Sequence, residues 1–153
     1  MTKYDDFKTD VTKTVDFIKE QTADGGGDYP EAVHTALEVS LQSLSWGEDS
    51  RMRLAFLLLD APAHHQNAII ESMQNSIETY ARLGIRIIPI AASGADKDTE
   101  FMLRFFGILT GGTYTFLTND SGVGGSHIEA SVGEYQVEKL NDLIVRLIAA
   151  ALS

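Results

Sequence analysis

Apolar positions along this chain alternate between two rhythms. Val11, Val15 and Ile18 recur at helical spacing behind Thr9 or Asp10 as a cap. The turn over 23–28 ends that helix and opens a second, with Val33, Ala36, Leu37, Leu41 and Leu44 along one face. The run Arg53-Leu54-Ala55-Phe56-Leu57-Leu58-Leu59 then drops the helical rhythm. An apolar stretch without polar alternation predicts a strand buried on both faces, as in parallel sheets covered by helices. A helix bearing Ile70, Met73, Ile77 and Ala81 follows, and then a strand over 85–91. Pro89 inside that strand removes one ladder donor and asks for a bulge or a strand end. A further helix carries Phe101, Phe105 and Leu109 and stops at Gly111-Gly112. The short strand 113–117 comes next, and a last helix uses Val137, Leu140, Ile144 and Ile148.

Strands separated by helices are the pattern of βαβ units, so the expected fold is a three-layer αβα, Rossmann-like domain with a mainly parallel sheet. At 153 residues, 44% of them hydrophobic, the chain is long enough for one domain with a real core. A net charge of −10 argues against nucleic acid and against an anionic membrane surface, and it suits a cation. The lack of cysteine removes disulfides, thiolate metal sites and cysteine catalysis. No stretch reaches transmembrane length, and Met1 to Asp6 lack the apolar core of a signal peptide. These residues do not report a compartment.

Asp60 closes the first strand and is stopped by Ala61-Pro62. The carboxyl ends of parallel strands are where open α/β sheets bind ligands, and a divalent cation is an apt partner for an acid placed there. The alternative is that Asp60 caps the following loop. Gly25-Gly26-Gly27-Asp28-Tyr29-Pro30-Glu31 is a glycine-rich loop running into a helix. Asp28 and Glu31 stand at capping-box spacing, so Asp28 is either the N-cap or a second oxygen ligand beside Asp60. The phosphate-loop pattern is absent. His64 and His65 follow Asp60; His64 is expected to line the mouth of the site, and a histidine metal centre lacks further ligands at a suitable spacing. Ser93-Gly94 ends the second strand on the same edge, as turn or as ligand contact. Ser126-His127 lies in a long glycine-rich loop over 118–133, and Trp46 is expected to pack. A serine hydrolase needs a nucleophile and base that the spacing does not supply, and no Gly-x-Ser-x-Gly elbow is present.

These motifs converge on a resemblance. Gly25 to Val33 with Ala36-Leu37, the strand ending Asp60-Ala61-Pro62, Ala91-Ala92-Ser93-Gly94, and Thr110-Gly111-Gly112-Thr113-Tyr114 stand in order with Asp120-Ser121-Gly122 and Gly125-Ser126-His127. Together they resemble the second half of a von Willebrand factor type A (vWA) domain, of the hemicentin-like and bacterial branch. The resemblance implies a doubly wound sheet with Mg²⁺ or Mn²⁺ at its top edge. In that family the ion is held by an Asp-x-Ser-x-Ser motif, a threonine from a glycine-rich loop and an aspartate after the fourth strand. Asp60 matches the aspartate. The threonine position falls at about Gly27, with Asp28 beside it. The Asp-x-Ser-x-Ser motif is missing: Asp49-Ser50-Arg51 and Asp120-Ser121-Gly122 both fail its spacing. Family topology further implies that the first strands precede Met1, that Tyr4 to Phe7 are a remnant of an edge strand, and that residues 1–153 form a single, partial domain.

The functional expectation is a protein-binding or adhesion-type module, not an enzyme. It would present Mg²⁺, Mn²⁺ or Ca²⁺ on Asp60 and Asp28 to an acidic side chain of a protein ligand, with Gly27, His64 and Ser93 lining the ligand site. The other expectation is a metal-independent assembly domain that pairs through strand 53–59, as a homo-oligomer or completed by an upstream segment. Secretion or surface display follows from the resemblance alone.

Overall fold

The computed structural model describes residues 2–22, 27–118 and 137–153. Its elements run α1 (Val11–Lys19), α2 (Val33–Ser43), β1 (Arg53–Leu59), α3 (Asn67–Arg82), β2 (Ile85–Ala91), α4 (Lys97–Thr110), β3 (Thr115–Phe116) and α5 (Leu140–Leu152). The strands form one parallel sheet in the order β1-β2-β3. β1 and β2 pair without a break from Arg53↔Ile85 to Leu59↔Ala91, whereas β3 is paired only at Ile90↔Thr115 and Ala91↔Phe116. The first two strands have the bounds that the apolar runs predict, and the third is shorter.

Side chains alternate across the strands, and each face meets its own helices. On one face Ala55, Leu57, Leu59, Ile85 and Ile87 pack with Val33 and Leu37 of α2, Met73, Ile77 and Tyr80 of α3, and Phe106 of α4. On the other, Leu54 and Ile88 pack with Leu143 and Leu147 of α5. Helices on both faces of a parallel sheet make the three-layer α/β arrangement.

Pro89 lies in the middle of β2, and backbone direction explains why this is tolerated. Leu117 N–H donates to Ala91 O at 2.8 Å, so Ala91 faces β3, and by alternation so do Pro89 and Ile87. β3 pairs only from Ile90 onward, so on that side the ladder never asks Pro89 for a donor. Its carbonyl accepts the Thr115 hydroxyl at 3.0 Å, and Ile87 N–H donates to Thr110 Oγ1 at 2.9 Å. The C-terminus of α4 takes the place of the absent stretch of strand.

Several helix faces differ from the expected ones. α4 buries Thr99, Leu103, Phe106, Gly107 and Thr110, while Phe101 is 73% exposed and Phe105 and Leu109 are also exposed. The buried face is the less apolar of the two, and Gly107 lets α4 settle with that face on the Pro89 ring. In α3 the buried set is Met73, Ser76, Ile77 and Tyr80, and Ile70 and Ala81 are exposed. α5 turns Leu143 and Leu147 inward instead of Ile144 and Ile148, and Val137 precedes it, exposed. α1 forms behind its Asp10 cap yet buries no residue; Val11, Val15 and Ile18 face outward. Residues 4–7 form no strand. Asp6 instead accepts from Ser45 N–H and its hydroxyl, and the Phe7 ring meets Trp46 edge to face at 5.0 Å. Trp46 packs as expected, its indole N–H donating to Ser40 O at 2.9 Å.

Candidate functional site

The parallel register brings the C-terminal ends of β1 and β2 to one edge of the sheet, with Asp60 and the segment Ala92-Ser93-Gly94 side by side. Ala92 N–H donates to Leu59 O at 2.7 Å and fixes that alignment. Ala95 N–H returns to Ala92 O at 3.2 Å, closing a turn in which Gly94 has φ of 91°. Ser93 is half-buried in this turn.

Residues 27–31, the described part of the glycine-rich loop, reach the same edge. Glu31 N–H donates to Pro62 O at 2.8 Å, and Glu31 forms a parallel bridge with Ala63. The Tyr29 hydroxyl donates to the Asp60 carbonyl at 3.4 Å. His64 Nε2 lies 3.7 Å from Asp28 Oδ2, with His64 half-buried and Asp28 exposed, a long surface pair of little energetic weight. Asp28 is not a helix cap: α2 begins at Val33, its N-cap is Ala32, and no side chain caps it. Glu31 is drawn into the bridge with Ala63, so the capping-box spacing is left unused and Asp28 stays free of the helix. Gly27 is exposed, and an added Cβ there would meet nothing. Ser126-His127 and the family-like motifs around them fall outside the described residues.

A capping pair on α4 lies beside Tyr29 of the loop. Asp96 caps α4, accepting Thr99 N–H at 2.8 Å and the Thr99 hydroxyl at 2.7 Å. The Tyr29 hydroxyl lies near this cap, close enough for Asp96 and Thr99 to shift its titration. Burial raises the Tyr29 hydroxyl above its ordinary value, helped by the Asp96 charge and opposed by its bond to Thr99. Desolvation pushes the Asp96 carboxyl up, but its bonds to Thr99 and Tyr29 outweigh this and hold it below the usual value. The Asp96-x-x-Thr99 spacing was a legible cap signal. The reach of Tyr29 to it depends on tertiary folding and had no signal.

Chemically, this edge offers two exposed carboxylates, Asp60 and Asp28, on segments tied together by backbone bonds, with an imidazole beside one of them. Among the described residues no three His, Asp or Glu side chains converge as a metal group. Next to it, between α3 and α4, lies an apolar groove of about 480 Å³ lined by Pro62, His65, Ile70, Phe101, Met102 and Phe105. Comparisons with family models, with curated proteins and with solved structures find no match to this chain.

Proposed function

We propose that this chain is a protein-binding module rather than an enzyme, and that it binds by accepting a strand at the free edge of β1. One observation carries the reading: β1 has the composition of a central strand in the position of an edge. Among the described residues it is paired on one side only, by β2. Edge strands are ordinarily blunted by an outward charge, a proline, a bulge or brevity. β1 has seven residues, unbroken register, and no charge or proline from Leu54 to Leu59. Its one charged member, Arg53, is held elsewhere, donating to Gly47 O at 2.8 Å, Leu83 O at 2.9 Å and Glu48 O at 2.6 Å.

The test is a lysine-tagged synthetic peptide carrying residues 53–60, added to dilute protein while amide exchange is followed by NMR. Exchange at Leu54, Phe56 and Leu58, the outward-facing amides, is expected to slow, while Ala55, Leu57 and Leu59 are already protected by β2. Unchanged exchange at the outward amides sinks the strand-addition reading.

The tie between the Asp28 and Asp60 segments favours a second reading, in line with the type A resemblance. Asp60 and Asp28 would hold Mg²⁺, Mn²⁺ or Ca²⁺ with an incomplete shell, and an acidic side chain of a protein ligand would complete it at the mouth formed by Gly27, His64 and Ser93. On this reading MnCl₂ raises the melting temperature of the protein relative to EDTA, and Asp60→Ala abolishes the difference. Equal melting in Mn²⁺ and EDTA removes the cation from the account and leaves the strand edge.

A further inference from the structure

We propose that the strand which β1 accepts is β1 of a second copy, paired antiparallel about a twofold axis at Phe56 so that two three-stranded sheets become one. This rests on the reading of β1 as the binding edge. Backbone direction fixes which residues can pair across the edge. Ala92 N–H bonds Leu59 O, so Leu59 faces β2, and alternation places Leu57, Ala55 and Arg53 with it. Leu54, Phe56 and Leu58 therefore aim their N–H and C=O groups outward.

Hydrogen-bonded antiparallel pairs join residues that both face the partner strand. The outward set is symmetric about its middle member: Phe56 meets Phe56, and Leu54 of each copy meets Leu58 of the other. The edge is thus complementary to itself in spacing and in side chains, as an isologous contact requires. The same three side chains point to the sheet face that α5 covers. There Leu54 is packed by Leu143 and Leu147, while Phe56 is 37% and Leu58 54% exposed. Pairing would continue that apolar layer across the axis.

The assembly closes at two. β3 is two residues long, so once β1 is paired no long edge remains among the described residues. The charge of −10 on each copy opposes association, and screening therefore favours it: the dimer strengthens as salt is raised.

Light scattering over a concentration series, at low and raised salt, tests this together with amide exchange on the wild type and on Phe56→Lys. The variant places two ammonium groups on the axis at a position that solvent already reaches, and Leu58→Lys serves as a second variant should the first fail to fold. The expected result is a mass rising toward twice 16.7 kDa with concentration and salt. Exchange at Leu54, Phe56 and Leu58 slows roughly tenfold or more in the dimer, and both effects vanish in the lysine variant. A chain that stays monomeric throughout, or a dimer that the lysine leaves intact, overturns the inference. The peptide of residues 53–60 separates the two levels. If it still binds a chain that does not dimerise, the second copy is excluded and strand addition stands; if it does not bind either, both fall.

Discussion

Gly112→Ala is expected to cost the protein about 4 kcal/mol, much of the stability of a domain this size. Two neighbouring glycines end α4, and they are glycine for different reasons. Gly111 sits at φ of 70° as the left-handed cap, its N–H returning to Ile108 O, and an added Cβ would meet nothing. Its replacement by alanine should cost only the local strain, about 1 kcal/mol. Gly112 donates to Gly107 O at 2.8 Å and lies against β2, where an added Cβ would overlap the carbonyl carbon and oxygen of Ile87. Backbone cannot rotate away as a side chain can. Relief requires α4 to lift from β2, which pulls Thr110 Oγ1 from Ile87 N–H and Gly107 from the Pro89 ring. Urea denaturation of both variants measures the contrast. Equal losses for the two would show that the approach of residue 112 to β2 is looser than described.

Ile77→Ala is the second large effect, with an expected loss of about 4 kcal/mol against about 1 for Ile77→Val. Ile77 is fully buried at the centre of the cluster formed by α2, α3 and the sheet, with Ile85 and Ile87 beneath it, both also at 0% exposure. Burying such a side chain contributes roughly 2 kcal/mol by transfer alone. The remainder is the cavity, which cannot collapse because the ladder pins one wall and α3, packed through Met73 and Tyr80, forms the other. The same denaturation experiment reads it, and a loss near that of the valine variant would mean that the walls close in.

The layers of this fold were legible because the two strands announce themselves as unbroken apolar runs of the right length, and helices separate them. The buried side of each helix was less so. α4 carries the apolar stripe Phe101–Phe105–Leu109 and a mixed one, Leu103–Phe106–Thr110, and the hydrophobic pattern favours the first although the second is the one buried. The choice was made by Gly107 against Pro89, a contact between residues on two elements. At the site, the approach of the glycine loop to Asp60 stood in the sequence as one of two readings, the other being that Asp28 only caps a helix. Capping spacing pointed to a helix start there, and the bridge of Glu31 to Ala63 moved that start to Val33. Tyr29 was passed over because its role comes from reach across the edge, to Asp60 and Asp96, and not from any neighbour in sequence.

α1 holds a further consequence. A nine-residue helix with a side-chain cap but no buried residue has little beyond its own hydrogen bonds to keep it formed, and such a helix is marginal in water. The heat taken up on unfolding comes largely from packed surface, so these nine residues add chain length with little enthalpy. Spread over all 153 residues, the calorimetric enthalpy per residue would fall short of the value typical of globular domains, and the heat-capacity step would be diluted in the same proportion.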